Sequence, residues 1–473
     1  MSVGSQTLDG MSGRRTRNAA VVVFIATLLW SPFPLGGAIR WAPAIQQILI
    51  VIAWILWVLG TARSTVLDRR YRRLAVIPTG LFCLSLGWAI IQITPATPSS
   101  WVHPVWGMAG DILGQNLKGT ISLNPWRTEA EILNLASYVL AGALVFGMAR
   151  RIETANLLLN AIIAVTALYA LYAFALALSG VQQVNVFYSV PYKNPLISGP
   201  FMLHNSFATY CGLGSLAALA RLCAGGSRSA VVGRGWRRLA ESVMQYCFSS
   251  GALILIGFIL NFSGVIASAS RAGFASTLLG LATLALLAFA VARGRTNRTL
   301  AGLGGLTAAA PIVLILIVNG GTLGSRIGEL LASDAGDQIR FALWASARRM
   351  IADAPLLGLG LGTFEDSYPL YAAQIFSNVM DKAHCDYLEF AAGIGIPAAI
   401  GWWLGLLWLC GANLRAIFVR HRNRVFSSIG VAATVLVAFH SLVDFSLQLP
   451  AVALIFTTLL AIGSSQSLGT AKA

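Results

Sequence analysis

The sequence has few charged residues for its length. Only 11% of its 473 residues are charged, whereas 57% are hydrophobic, and a soluble domain carries about a quarter charged residues. This composition excludes an ordinary soluble enzyme, and the high apolar content also excludes an intrinsically disordered chain. The sequence therefore predicts an integral membrane protein.

Cysteine is scarce, and several common catalytic motifs are missing. The 6 cysteines are spread thinly over the chain, which excludes a disulfide scaffold and offers no cysteine-based metal site. The sequence contains no Walker A loop, no His-Glu-x-x-His and no Gly-x-Ser-x-Gly. These absences disfavour ATP hydrolysis and zinc proteolysis.

Acidic residues are also few, since 33 Lys and Arg against 17 Asp and Glu give a net charge of +16. In a soluble protein this excess would suggest a nucleic-acid partner. Placing Arg14, Arg15 and Arg17 in the cytoplasm puts 23 of the 33 cations on the cytoplasmic side of the predicted helices, in keeping with the positive-inside bias. The topology explains the charge, so we expect no nucleic-acid partner and both termini in the cytoplasm.

Twelve apolar stretches approach the roughly 20 residues that a helix needs to cross a bilayer. We therefore expect an all-α polytopic membrane protein with about 12 transmembrane helices. Residues 1–198 would hold helices 1–5 with their loops, and residues 199–473 the remaining helices. The stretches lie at about 19–38, 42–61, 74–93, 129–148, 155–179, 201–220, 246–264, 272–292, 299–318, 386–411, 428–445 and 449–465.

The longest outer connection, residues 319–385, lies between predicted helices 9 and 10. Loops of this length are usually functional or disordered. Residues 338–353 read as an amphipathic helix that carries Arg340 and Arg348, and a proline and three glycines follow it. The alternative is a helix that lies on the membrane surface with solvated arginines.

Polar residues gather at two predicted outer helix ends. His204 and Asn205 lie at the mouth of the sixth helix, where interfacial anchoring is favoured over ligand binding for this segment alone. Arg271 lies in the tight outer turn between helices seven and eight. Its planar guanidinium suits phosphate oxygens, although an arginine can also reach lipid head groups.

Two histidines complete the set of candidate site residues. His384 lies where the long loop meets helix ten, and Asp386 and Glu389 follow it closely enough to orient it. Because histidine titrates near neutral pH, a general base is the hypothesis and a structural histidine the alternative. His440 and Asp444, at i and i+4 in helix eleven, could pair inside the membrane or line a site.

These five segments, taken in order, resemble the O-antigen ligase and polymerase superfamily of bacterial envelope proteins. Two positions depart from the family pattern: Cys385 stands where Asn is frequent, and Gly393 where Glu is frequent. The resemblance covers residues 199–450, and residues 1–198 match only in hydropathy. The matching residues are Gly199, Phe201, His204, Asn205, Phe207, Ala208 and Tyr210; Ser270, Arg271 and Gly273; Arg340, Leu343 and Trp344; Asp353, Pro355, Leu356, Gly358, Gly360, Gly362, Thr363 and Phe364; Ala383, His384, Asp386, Tyr387 and Leu388; and His440 with Asp444.

The resemblance implies a fold related to class C glycosyltransferases, with a site between the membrane and the periplasmic loop of a bacterial inner-membrane protein. It implies transfer of a glycan from a polyprenyl diphosphate to a hydroxyl, with inversion and without a metal or other cofactor. Arg271 and Arg340 would stabilise the diphosphate, with Arg348 in reserve, and His384 would accept the proton of the hydroxyl. The substrate contacts would come from His204, Asn205, Asp386, His440 and Asp444.

The implied partners are the lipid-linked glycan donor, a lipid A-core or glycan acceptor, and membrane lipid. Motif resemblance favours a ligase that acts on lipid A-core. A polymerase of repeat units and a protein O-oligosaccharyltransferase need the same donor site and remain alternatives. A flippase or transporter of lipid-linked glycans is the alternative of another class, and it predicts charged residues at the midplane of several helices.

Overall fold

The computed structural model describes residues 3–33, 35–39, 41–61, 69–180, 196–229, 250–290, 335–372, 376, 379–420 and 423–468. Within these ranges every regular element is an α-helix or a short 3-10 helix. The predicted all-α class is therefore confirmed for the described part of the chain. The division of the chain between residues 198 and 199 stays a prediction.

Fifteen α-helices lie within the described ranges, and we number them in chain order. They are α1 (Val3–Trp30), α2 (Ala42–Thr61), α3 (Arg69–Gln92), α4 (Val105–Leu113), α5 (Pro125–Met148), α6 (Ile152–Ser179), α7 (His204–Ser229), α8 (Ser250–Ala267), α9 (Arg271–Ala290), α10 (Ala335–Asp353), α11 (Phe364–Tyr371), α12 (Asp386–Ile394), α13 (Ile396–Val419), α14 (Arg424–His440) and α15 (Pro450–Ser467).

Eight of the described helices are long and apolar enough to cross a membrane, namely α2, α3, α5, α6, α7, α9, α13 and α15. The apolar helices α8 and α14 are shorter. This arrangement is that of a polytopic membrane protein. The count of twelve stays a prediction, because the predicted span at 299–318 lies outside the described residues, as does part of the predicted loop at 319–385.

Two helices form the centre of the bundle. In their most apolar windows 89% of the residues of α15 and 78% of those of α7 are buried, against 22% in α2. Small residues allow the close approach that membrane helices use: a Cβ at Gly214 of α7 would lie 2.3 Å from Thr166 Oγ1 of α6. The residues at the ends of α7 are therefore fixed by close packing against several neighbours.

The starts of α7, α9 and α15 and the end of α14 lie together at one end of the bundle, which we name the site end. Ser270, just before α9, donates a hydrogen bond from Oγ to Asn205 Oδ1 of α7 at 2.7 Å. Thr209 Oγ1 of α7 lies 3.0 Å from Nδ1 of His440, the last residue of α14. Three candidate segments that are far apart in sequence therefore meet.

The predicted span at 386–411 is wrong, because the chain forms two helices there. A short helix, α12, ends at Ile394, and the membrane-length helix α13 begins at Ile396, so that Gly395 lies between them. Gly395 has a φ of +84°, and a Cβ there would lie 2.3 Å from Leu356 O. Pro397 is the second residue of α13, and proline is tolerated in the first turn of a helix but not in a helix interior. The glycine and the proline together break the apolar run.

The predicted helix at 428–445 is also too long. Helix α14 ends at His440, and residues 441–443 form a turn before a 3-10 helix at Ser446–Gln448. His440 and Asp444 therefore do not share a helix face as the i, i+4 spacing suggested. The turn still brings them together, with 3.8 Å between His440 Nδ1 and Asp444 Oδ2.

The glycines that follow α10 serve as a close-packed connection to α12. Gly358, Gly360 and Gly362 all have positive φ, and a Cβ at Gly358 would lie 2.2 Å from Gly393 O. Backbone hydrogen bonds join Leu359 N to Ala392 O at 3.0 Å and Gly360 N to Gly393 O at 2.9 Å. We take this packing, and not phosphate binding, as the reason for the glycine run.

Helices α10, α11 and α12 cover the site end. The buried face of α10 carries Leu343, Ala347 and Met350, which belong to one apolar cluster with residues of α11 and α12. Arg127 at the start of α5 forms ion pairs of 2.7 Å and 3.0 Å with Glu365 and Asp366 of α11. The predicted helix at 338–353 is confirmed and is held in place by packing, while the ion pairs of Arg127 hold α11.

Candidate active site at the helix ends

A buried carboxylate lies between two histidines at the site end. Asp444 is fully buried, and its Oδ1 lies 3.3 Å from His384 Nδ1. Its Oδ2 lies 3.8 Å from His440 Nδ1 and accepts a hydrogen bond from Ser446 Oγ at 3.1 Å. Burial by itself would raise the pKa of Asp444, but the contacts with His384 and His440 hold that pKa below its ordinary value. Asp444 is therefore a carboxylate with two imidazoles as charge partners.

The two ring nitrogens of His440 have different surroundings. His440 is 1% exposed, and its Nδ1 lies 3.0 Å from Thr209 Oγ1 and 3.1 Å from Ser446 Oγ. Its Nε2 is buried and has no hydrogen-bond partner among the described residues. Buried polar atoms are nearly always paired in folded proteins. The unpaired Nε2 therefore marks a position where a polar atom of a ligand could bind.

The same pocket receives a second histidine nitrogen and an arginine charge. His204, at the start of α7, has a buried Nδ1 with no partner within the described ranges. The charges of Asp444 and of Arg340 in α10 both act on His204 and on His440. We name the set His204, Arg340, His384, His440 and Asp444 the Asp444 pocket. It joins residues from four separate segments of the sequence.

The loop before α12 holds His384 in an unusual backbone conformation. Its φ is +52°, in the left-handed region that residues other than glycine rarely adopt. Trp344 Nε1 donates to His384 O at 3.3 Å, and the Glu389 carboxylate accepts a hydrogen bond from Ala383 N at 2.7 Å. The ring packs edge-on against Phe445 with centroids 4.9 Å apart. Such strained residues persist where the surrounding structure holds them, often at functional sites.

Asp386, expected to orient His384, makes its contacts elsewhere. Its Oδ2 accepts a hydrogen bond from Ser441 Oγ at 2.7 Å, and its Oδ1 accepts one from Gln448 Nε2 at 3.1 Å. Burial raises the pKa of Asp386 to about 7 despite these hydrogen bonds. The carboxylate that faces His384 is Asp444, because the turn after α14 returns the chain towards the loop.

Arg271 is the first residue of α9 and is exposed at the site end. The turn before it is fixed by Ser270, whose Oγ donates to Asn205 Oδ1 and accepts a hydrogen bond from Gly273 N at 3.0 Å. A Cβ at Gly273 would lie 2.4 Å from the Ala208 Cβ, so α9 packs closely on α7. Asn205 therefore positions the turn that carries Arg271.

Arg348 is not brought into the Asp444 pocket. Its side chain is exposed on α10 and makes no hydrogen bond or ion pair within the described part of the chain. The faces of α10 explain the difference from Arg340, because Leu343, Ala347 and Met350 face the apolar cluster while Arg348 faces outward. A role for Arg348 as a reserve diphosphate ligand stays a prediction.

Four polar partners of the site were not singled out from the sequence. Thr209 and Ser446 contact the His440 ring, and Ser441 and Gln448 hold the Asp386 carboxylate. Thr209 could have been found, since it lies four residues after Asn205 and therefore on the same helix face. Ser446, Ser441 and Gln448 depend on the turn after α14, which the predicted longer helix concealed.

The pocket combines an imidazole whose Nδ1 lies 3.3 Å from a carboxylate oxygen, an arginine charge, and two further imidazole nitrogens, of His204 and His440, without a hydrogen-bond partner in the described part of the chain. An imidazole that faces a carboxylate through one nitrogen can accept a proton at the other. Guanidinium groups stabilise charge on phosphate oxygens. Among the described residues no group of three or more His, Cys, Asp and Glu is arranged to hold a metal ion. The chemistry that these side chains can supply is proton acceptance and binding of an anion.

Residues 256–403 match the family model described as O-Antigen ligase. The match runs from within α8 to within α13 and includes Arg271, Arg340 and His384. The resemblance to the O-antigen ligase and polymerase superfamily is therefore confirmed over this segment. His204, His440 and Asp444 lie outside it. No curated protein matches the chain.

Proposed function

We propose that this protein transfers a glycan from a polyprenyl diphosphate to a hydroxyl of lipid A-core at the periplasmic face of a bacterial inner membrane. The proposal rests mainly on the pairing of His384 with the buried Asp444, in a pocket where the charge of Arg340 acts on His204 and His440. A segment that matches an O-antigen ligase family carries His384 and Arg340, which supports a glycan as the transferred group. Membrane lipid surrounds the bundle.

The proposed reaction needs one proton acceptor and one stabiliser of negative charge. The acceptor oxygen attacks the anomeric carbon from the face opposite the diphosphate, so the configuration inverts. A new bond forms between that carbon and the acceptor oxygen, and the bond from the carbon to the diphosphate oxygen breaks. The proton of the hydroxyl goes to His384, and the electron pair of the broken bond leaves with the polyprenyl diphosphate.

His384 suits the role of general base because of its partner. His384 Nδ1 lies 3.3 Å from Asp444 Oδ1. We assign the proton of the neutral ring to Nδ1, which leaves Nε2 available to accept a proton. Asp444 then stabilises the imidazolium that forms, and Ser446 and His440 hold Asp444 in turn. General bases of this kind contribute about 10²–10⁴-fold to a rate.

Arginine side chains can stabilise the negative charge of the leaving diphosphate. Arg340 lies close enough to the pocket for its charge to act on His204 and His440, and Arg271 lies on the turn that Asn205 fixes. We propose that these two guanidinium groups stabilise the departing diphosphate and that no metal is needed. Turnover that is unchanged by a chelator would agree with this assignment.

The orientation proposed for the site follows from charge at the two bundle ends. Away from the site end, Arg17 Nη1 donates to Gly60 O at 2.7 Å, and Arg150 lies 4.3 Å from the Tyr71 ring centroid. These arginines belong to the basic connections predicted to be cytoplasmic. The site end would then face the periplasm.

A gel of the envelope glycolipids from cells that lack the gene tests the proposal. We expect long glycan chains to disappear from lipid A-core while the lipid-linked donor accumulates. Chains shortened to a single repeat would instead indicate a polymerase, and an unchanged pattern would refute both. Plasmid-borne wild-type protein should restore the chains, whereas His384→Ala at an equal protein level should not.

A further inference from the structure

A second cavity, mostly apolar with a few acidic side chains, lies next to the segment that carries His384 and has no role in the mechanism above. It is a cavity of about 350 Å³ between α5, α12, α13, α14 and α15. Asp386, Ser441 and Gln448 line it, and Asp386 follows His384 by two residues. The cavity is therefore lined by the helix start that directly follows the proposed general base in the chain.

Carboxylates dominate the polar part of this cavity. Glu131, Asp386 and Glu389 line it, and Glu389 and Asp386 are 6% and 9% exposed. The neighbouring cation, Lys382, is 3.4 Å from Glu389 Oε1 and donates to Gln448 Oε1 at 2.5 Å. Three carboxyl groups against one ammonium that is already paired make a poor site for a diphosphate but a good one for hydroxyl donors.

One polar atom in the wall lacks a partner. Tyr138 is 7% exposed, and its hydroxyl is buried with no hydrogen bond to any described residue. Tyr138 lines the cavity on the same face of α5 as Glu131, which precedes it by seven residues. A buried hydroxyl without a partner is uncommon, and a ligand with hydroxyl groups would satisfy it.

The rest of the wall is largely aromatic and aliphatic. Trp402 and Trp403 of α13 and Phe390 of α12 line the cavity. The centroid of the Phe390 ring lies 5.9 Å from that of Trp402 and 6.2 Å from that of Trp403. Leu407, further along α13, also lines it and is 58% exposed. Binding sites for small ligands combine such apolar walls with a few polar groups that fix orientation.

We propose that this cavity binds the uncharged sugar of the acceptor, with the ring against the aromatic wall and its hydroxyls against the carboxylates. The assignment rests on the proposed transfer function and separates two substrates. The diphosphate of the donor belongs with Arg340 and Arg271, and the acceptor hydroxyl arrives from the carboxylate side. His384 lies where the two sides meet.

Binding of a simple sugar probe tests the proposal without depending on transfer. The protein in lipid nanodiscs is irradiated with octyl glucoside that carries a diazirine on the sugar, and the labelled peptides are identified by mass spectrometry. A matched octyl probe without the sugar serves as the control. We expect saturable labelling of peptides 386–407 and 434–457 by the sugar probe and at least about tenfold less by the octyl probe.

Two variants connect the labelling to the cavity. Tyr138→Phe should weaken sugar binding about threefold to tenfold, as the loss of one hydrogen bond predicts. Ala438→Trp places an indole in the cavity, which Ala438 lines, and should abolish labelling. Leu404→Trp is the matched control, because Leu404 is 50% exposed on α13 and is not a lining residue. If Ala438→Trp does not fold, Tyr138→Phe alone decides.

Three outcomes would overturn the proposal. Equal labelling by both probes would assign the cavity to a hydrocarbon chain, and loss of labelling on addition of farnesyl diphosphate would assign it to the donor. Unchanged binding in Tyr138→Phe would also contradict it. His384→Ala separates this inference from the transfer function, since it should lose transfer and keep the label. Sugar labelling in a protein that transfers no glycan would leave the cavity assignment standing and refute the function.

Discussion

Asp444 and Asp386 are both buried and lie on either side of the segment that follows α14, yet their pKa values are shifted in opposite directions. Asp444 faces two imidazoles, which hold its pKa below the ordinary value. Asp386 faces a serine hydroxyl and an amide, and burial raises its pKa to about 7. The partners of a buried acid therefore decide whether burial raises its pKa or neighbouring imidazoles keep its pKa low.

The same contrast extends to the regions around them. The Asp444 pocket contains histidine and arginine side chains. They can bind an anion and accept a proton from a substrate. The cavity that Asp386 lines has further carboxylates and aromatic rings and suits neutral hydroxyls. Substitutions on the two sides should therefore have different consequences.

The largest expected effect is on the Asp444 side. His384→Ala should reduce transfer by about 10²–10⁴-fold, because the acceptor proton loses its base, while the donor still binds. Turnover of purified protein with donor and acceptor checks this. His103→Ala is the matched control: it lies outside the pocket, where its Nδ1 accepts a hydrogen bond from Val105 N at 3.2 Å, and it should keep near-normal turnover. Near-normal turnover of His384→Ala would transfer the role to His204.

A conservative change of Arg340 comes next. Arg340→Lys should reduce turnover by about 10²-fold, because an ammonium keeps the charge but not the planar pair of donors for phosphate oxygens. Arg349→Ala on the same helix is the control, since Arg349 is exposed. Equal turnover of Arg340→Lys and wild type, at equal protein levels, would remove Arg340 from the diphosphate site.

The two aspartates provide the sharpest paired test. Asp444→Asn should reduce turnover about tenfold to a hundredfold, because an amide cannot serve as the charged partner of an imidazolium. At saturating acceptor, turnover of Asp386→Asn should stay within about threefold, since an amide can still hydrogen-bond Ser441 and Gln448 and Asp386 does not face the base. The ratio of the two turnover numbers is the measurement. A larger loss in Asp386→Asn would reverse the comparison.

The smallest expected effect is on stability and depends on pH. A folded-state pKa of about 7 for Asp386, above the unfolded value, means that the folded protein holds this proton as pH rises from about 4 to 7. Its contribution to the unfolding free energy therefore falls over that range, by up to about 1.4 kcal/mol per pH unit, and levels off above it. The pKa of Asp444 is lowered. Its contribution to the unfolding free energy therefore decreases as the pH falls in the acid range.

Thermal unfolding of nanodisc-embedded protein between pH 5 and 8 measures this effect. The melting temperature of wild type should fall with rising pH more than that of Asp386→Asn, which lacks the titrating group. Comparison within the pair cancels the contribution of Asp444 and other groups common to both proteins. Parallel curves would mean that Asp386 is ionised throughout the range.

The sequence predicted the membrane class and the amphipathic helix of the long loop better than it predicted helix ends, and the roles of the site residues stay predictions. Apolar length is enough to find a span, but α12 and α13 are separated by Gly395, whose positive φ is a tertiary requirement set by contact with Leu356. The pairing of Asp444 with His384 depends on the turn after His440. That pairing joins residues 60 positions apart, and local spacing carries no signal for it.

The cavity was harder still to predict. Glu131 lies near the start of a span and is the kind of acid that intramembrane function often requires, but its companions come from four other helices. Only the packing of α5 against α15 and of α13 against α14 brings them together. Glu131, an acid near the start of an apolar segment, is therefore the one sequence feature that points to this cavity.

The proposed reaction transfers a glycan from a polyprenyl diphosphate to a hydroxyl, with His384 as the base. Its most direct measurement uses purified protein in liposomes with a synthetic polyprenyl-diphosphate glycan, an acceptor lipid A-core and a chelator. We expect equimolar glycosylated acceptor and free polyprenyl diphosphate, with an inverted anomeric centre, and at least a hundredfold less of both with His384→Ala. Movement of intact donor across the bilayer by wild-type protein, without either product, would contradict the account and identify a transporter.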